Sequence, residues 1–106
     1  MRYRLLRHPD VAHDLRAIEN FIAEYAGPAI ALRKLMEIEH TLHRIAENPH
    51  IGSIRDEIYP GLRAIPSARK GVIAFVVNEE LKAVHVVSIT YAGADWFATI
   101  ERRTAR

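Results

Sequence analysis

The chain has 106 residues, 49% hydrophobic and 26% charged, enough apolar material for one buried core and too little for two, so residues 1–106 are read as a single domain. There is no cysteine, which excludes a disulfide framework and a thiolate metal site and fits a reducing cytoplasm. The formal net charge is only +2, so bulk electrostatics do not dictate nucleic-acid binding; any such role must come from the local clusters Arg2/Arg4/Arg7, Arg63/Arg69/Lys70 and Arg102/Arg103/Arg106.

Residues 1–7 alternate charged with apolar side chains and lack a continuous apolar stretch, so neither a signal peptide nor a membrane anchor is expected there. Residues 2–7 read as a short strand, with Tyr3 and Leu5 on one face and Arg2, Arg4 and Leu6 on the other. His8-Pro9 ends it. Pro9 suits the first position of a helix, and Asp10 and Asp14 add negative charge near the positive end of its dipole. The apolar stripe Val11, Leu15, Ile18, Ile22, Tyr25 is one face of that helix, and Gly27-Pro28 closes it. A second stripe, Ala31, Leu35, Ile38, Leu42, Ile45, follows at the same spacing, so the two form an antiparallel helical hairpin.

Asn48-Pro49 breaks the second helix, and residues 48–61 are rich enough in Pro, Gly, Asn and Ser to be a loop. The period then becomes strand-like over Leu62–Ile65, Val72–Asn78 and Ala83–Tyr91, with Asn78-Glu79-Glu80 at the tip of a hairpin. Both long strands are apolar on both faces, and the helical hairpin can cover only one. The other face is left for a partner or for a C-terminal segment folding back, for which a short helix over residues 94–101 is the candidate. The fold class is therefore α+β: an N-terminal strand, the helical hairpin, a three-stranded antiparallel run forming a mostly antiparallel sheet, and a short C-terminal helix. Where the first strand inserts is left open, because periodicity cannot choose between parallel and antiparallel neighbours.

Three local features then stand in a recognisable order. Tyr3-Arg4-Leu5 precedes Pro9; Glu47-Asn48-Pro49-His50-Ile51-Gly52 follows the second helix; and Gly61-Leu62-Arg63…Pro66 leads into Val72-Ile73-Ala74-Phe75 and later Ala94-Asp95-Trp96. This combination resembles the RelE/ParE toxin superfamily over almost the whole chain, and more closely its ParE-like branch. The resemblance implies a ParE-like toxin of a type II toxin–antitoxin module that inhibits DNA gyrase and is neutralised by a ParD-like antitoxin, a protein-binding poison with no cofactor. The alternatives it carries are a RelE-like ribosome-dependent mRNA endonuclease and an inactive member that binds its antitoxin and represses its own operon. Many relatives read His-Gly-Ala-Arg-Asp-Trp where this chain has Tyr91-Ala92-Gly93-Ala94-Asp95-Trp96, so Ala94 stands where an arginine would hold phosphate.

Metal-free RNA cleavage needs a base, an acid and cations for the charge growing on phosphate. The nuclease alternative would use Arg63, Arg69, Lys70 and Tyr91, with Tyr91 as general acid; an obvious base is missing, since Glu57, Glu79 and Glu80 fall in loops with nothing to place them. In the leading reading Arg63, Arg69, Lys70 and Trp96 face the target. Phe21 and Leu32, on the flanks of the helices, face the antitoxin, while Leu15, Ile18, Leu35 and Ile38 are mainly core. His40 and His43 are three apart but lie off the apolar stripe, so they read as solvated surface and no metal site is expected. His85 is placed on the side of Val87 and Ile89 as a partly buried histidine, Trp96 and Phe97 as lids on the core, and Arg102–Arg106 as a solvated tail. No Gly-rich phosphate loop, Ser/His/Asp order or Cys/His cluster is present, which argues against a cofactor enzyme.

Overall fold

The computed structural model describes residues 2–105, in the order β1 (Arg4–Arg7), α1 (Val11–Ala26), α2 (Pro28–Glu47), β2 (Ser53–Ile54), β3 (Leu62–Ser67), β4 (Gly71–Asn78), β5 (Ala83–Tyr91) and α3 (Trp96–Thr104). The two stripes form helices as expected, and Gly27 joins them: at φ 91° it ends α1, with its N–H on the Ala23 carbonyl at 3.0 Å, and heads α2. A side chain would be strained at that φ. Pro28 takes the first position of α2, where a missing N–H costs nothing. Pro9 does not do the same for α1, which begins two residues later. Pro9 and Asp10 form a turn instead, in which the Asp10 N–H donates to Nδ1 of His8 at 3.1 Å. Tyr25 also leaves its stripe: it is 58% exposed and leans edge-on against Phe21, ring centroids 5.3 Å apart.

The five-stranded sheet runs β1-β5-β4-β3-β2. Strands β3, β4 and β5 are an antiparallel run, and β1 pairs in parallel with β5, from Arg4↔Ala83 to Arg7↔Val86, which fills the position that periodicity left open. Residues 48–61 are not wholly irregular: Ser53 and Ile54 pair with Ala64 and Arg63 at the sheet edge. They can do so because Gly52, at φ 85°, passes so close that a Cβ would lie 2.6 Å from the Ala64 carbonyl oxygen. This explains the glycine of the Asn-Pro-x-x-Gly run. Strand β3 continues through Pro66 to Ser67, because β2 is too short to reach Pro66 and no ladder bond is asked of its nitrogen on that side.

A bulge interrupts β5. Ala74 pairs with Ser88 but Phe75 with Val86, leaving Val87 unpaired, so the alternation of faces shifts by one. Val84, Val86 and Ile89 therefore point to the helical hairpin and Val87 to the other face. His85 does not share a side with Ile89, and it is exposed rather than partly buried.

The larger core lies between the hairpin and the sheet, where Val11, Ile18, Ile22, Ile38, Leu42 and Ile45 meet Ile73, Phe75, Val84 and Ile89. Each fully buried side chain of this size contributes about 1.5–3 kcal/mol relative to exposure. Leu15 and Leu35 border this core partly buried. The second face is covered from within the chain: Ile100 of α3 packs on Leu62, Ala74 and Val87, edged by Ile58, Tyr59 and Trp96. Trp96 thus serves as a lid, whereas Phe97 is 49% exposed. Among the described residues no helix is long and apolar enough to cross a membrane.

Candidate functional site

The side chains singled out for phosphate chemistry do not converge. Arg69 and Lys70 sit exposed in the β3–β4 turn, beside Tyr91, which pairs with Gly71 at the same end of the sheet. Arg63 lies four residues before Ser67, about 13 Å along an extended strand. Its guanidinium is turned the other way, donating from Nη1 to the His50 carbonyl at 2.9 Å. Trp96 is on the opposite face of the sheet, beneath the Arg55 guanidinium at 5.9 Å from its ring. Tyr91 is 8% exposed; its hydroxyl donates to the Ala68 carbonyl at 3.4 Å and its ring meets Phe21 edge-on. Burial pushes its pKa up, reinforced by the neighbouring Tyr25 and Glu37 and opposed by Arg69. The phenol stays protonated and has little access to solvent, beside the exposed Tyr25, Glu37 and Arg69.

Glu79 is placed after all. Its carboxylate accepts from the Tyr3 hydroxyl at 2.6 Å and meets Nε2 of His50, joining the N-terminal segment, the loop after α2 and the β4–β5 turn. The Tyr3 and His50 bonds hold its pKa below the usual carboxylate range, and the same bond raises the pKa of Tyr3. Lys82 lies over the Tyr3 ring at 5.5 Å. Nothing local in sequence foretold this cluster, because its members are dozens of residues apart and belong to no periodic face.

A second network was hidden in charges read as surface. Arg103 is not part of a solvated tail: it donates from Nη1 and Nη2 to the Asp14 carboxylate at 2.6 and 2.7 Å, with both side chains only 10% exposed. Asp14 also accepts the Ile89 N–H at 3.0 Å, and Arg103 donates to the Val87 carbonyl at 3.1 Å. These backbone groups belong to the stretch of β5 beyond its pairing with β1, so two side chains stand in for the missing strand. A sign was available: Trp96, Ile100 and Arg103 share one face of α3, and Val11, Asp14 and Ile18 one face of α1, so each charge sits on an inward stripe. Beside Asp14 a groove of about 290 Å³ opens between Ile18 and Phe21 of α1 and Ile89 and Tyr91 of β5.

Phe21 and Leu32 are 47% and 57% exposed, and Tyr25 and Met36 are also uncovered, so the helical hairpin carries four of the eight exposed bulky apolar side chains among the described residues. His40 and His43 are solvent-facing, and among the described residues no three His, Asp or Glu side chains are grouped to hold a metal.

This architecture is shared with solved toxins. A chromosomal ParDE toxin–antitoxin structure from P. aeruginosa superposes with a TM-score of 0.72 at 23% identity, covering 86% of this chain and 97% of that one. A mutant of E. coli toxin RelE in the free state gives a TM-score of 0.67 at 17% identity, over 98% of this chain and 99% of that one. The fold is thus that of the RelE/ParE superfamily. Sequence narrows it further. Residues 5–96 match the family described as the ParE toxin of the type II toxin–antitoxin system, parDE. Toxin ParE3 of Caulobacter vibrioides is 30% identical over 77 residues, 73% of this chain and 76% of that protein. The chain belongs to the ParE toxin family.

Proposed function

We propose that the protein arrests growth by binding DNA gyrase and stalling it on broken DNA, in the cytoplasm, and that a ParD-like antitoxin neutralises it. The observation that carries the choice over RNA cleavage is Tyr91: with its hydroxyl on the Ala68 carbonyl beneath Phe21, the last strand ends without a solvent-facing general acid. Arg69 and Lys70, exposed on the turn beside it, are the target contacts this reading favours; Arg63 and Trp96 lie on other parts of the surface. The antitoxin is expected to lay apolar side chains of a segment that folds on binding against Phe21 and Leu32.

Expression without the antitoxin tests the first part. A DNA-damage response with filamentous cells is the expected outcome, and rapid loss of translated messages with intact DNA would replace it with the nuclease reading. Phe21→Ala tests the second: the circular dichroism spectrum should stay as it is while antitoxin affinity falls by about tenfold or more, as truncation of an aromatic anchor does. Unchanged affinity would move the antitoxin elsewhere.

A further inference from the structure

The flank of α2 that faces the β3–β4 turn holds a basic groove that none of these roles uses. Its volume is about 490 Å³, with Arg33, His40 and Arg44 of α2 on one side and Pro66, Ser67 and Ala68 on the other. At 3.6 residues per turn and about 1.5 Å rise, positions 33, 40 and 44 fall on one helix face, roughly 10 and 6 Å apart along the axis. The acid in the lining, Glu37, lies 3.5 Å from the Lys34 ammonium and is already balanced. Among the described residues, Arg33, Arg44, Arg69 and Lys70 have no carboxylate within ion-pair distance.

The walls are held apart at a set distance. Thr41 and Ser67, both buried, share a hydroxyl hydrogen bond of 2.7 Å that ties helix to strand at the groove's floor. At its rim the chain turns through Ala68 and Arg69 at φ 54° and 68°, a left-handed conformation that costs a side chain about 1 kcal/mol or more per residue. That strained turn presents Arg69 and Lys70 to solvent. In a protein with a net charge of only +2, Arg33 and Arg44 in the lining, with Arg69 and Lys70 on the adjoining turn, are four cations beside one balanced acid, a local concentration.

We propose that this groove binds the sugar–phosphate backbone of duplex DNA without reading its sequence. Each strand of a duplex carries one negative charge per ~3.4 Å of axis, so cations spaced along one straight helix meet separate phosphates. No Phe, Tyr or Trp lines the groove to stack unpaired bases, which favours a paired duplex over a single strand. The preference for DNA over RNA rests on the gyrase reading; the groove and its charge do not.

Fluorescence anisotropy of a labelled DNA duplex of arbitrary sequence, titrated with the full chain over a range of salt, tests this. Affinity should fall as salt rises. The double variant Arg33→Ala/Arg44→Ala should bind about tenfold or more weakly at low salt and flatten the log–log salt slope by about 1.8, the value for two lost phosphate contacts. Arg16→Ala, on α1, should change neither, and Arg33→Lys/Arg44→Lys should keep the slope, which separates lost charge from lost fold. Salt-independent binding, or a double variant that binds like the parent, would overturn the proposal. Tighter binding to an RNA duplex of the same sequence would overturn its DNA assignment, and the growth phenotype described above would then show whether the gyrase reading falls with it.

Discussion

The Asp14–Arg103 network and the Tyr3–Glu79–His50 network are built from the same kinds of charge-assisted hydrogen bond, and each ties together parts of the chain that are far apart in sequence. They differ in access to water. The first has side chains 10% exposed and also satisfies two backbone groups of β5; in the second, His50 and Glu79 are about half exposed. Water competes for the second and screens it, so similar geometry carries much less weight there. The contrast shows why a list of ion pairs does not rank what holds a protein together. It also bears on α3, whose single buried residue is Ile100: with so little apolar burial, the helix relies on Arg103 to stay docked.

Removing one partner of the buried pair should have the largest effect. Asp14→Ala or Arg103→Ala is expected to cost about 2–4 kcal/mol in urea denaturation, because each leaves an uncompensated charge and strips bonds from Val87 or Ile89. The double variant should cost clearly less than the sum of the two. Additive losses would mean that the pair does not act as a unit.

A change in the backbone beneath the exposed network comes next. Gly52→Ala puts a methyl group against the Ala64 carbonyl in a left-handed conformation, and should lose about 1–3 kcal/mol even though it touches no charge. If it proved as harmless as a surface substitution, the anchoring of the His50 loop would lie in its side chains instead.

The smallest effect is expected from the exposed network itself, and pH separates its parts. Glu79 has a lowered pKa, so its contribution is present above the ordinary carboxylate pKa and fades as pH falls through the lowered value. Tyr3 has a raised pKa, so its contribution is complete below the ordinary tyrosine pKa and fades as pH rises through the raised value. Glu79→Gln should therefore remove a small part of the acid dependence of the melting temperature and Tyr3→Phe a small part of the alkaline one. A Glu79→Gln variant that lowered stability at neutral pH as much as Asp14→Ala would erase the distinction between the two networks.

Much of the architecture was legible in the order of residues, because helical and strand periods are local. The hairpin of α1 and α2, the turn at Gly27-Pro28, the three antiparallel strands and the short last helix all follow from spacing and from where Gly and Pro stand. The ParE family was legible too, in short motifs such as Glu47-Asn48-Pro49-His50-Ile51-Gly52, whose glycine must pass close to a neighbouring strand. The placement of candidate site residues was much less so. That Arg63 points away from Arg69 and Lys70, and that Tyr91 is covered by Phe21 with its hydroxyl on Ala68, depends on which strand lies beside which and under which helix.

What the sequence determined alone, then, is each element and the surface it needs to bury, since these are set by residues within a few turns or strand pairs of one another. Tertiary structure decided the parallel pairing of β1 with β5, the bulge that turned His85 outward, and the pairing of Asp14 with Arg103. These arise only when segments dozens of residues apart meet, and then the unpaired backbone groups and charges of one must find their partners on another.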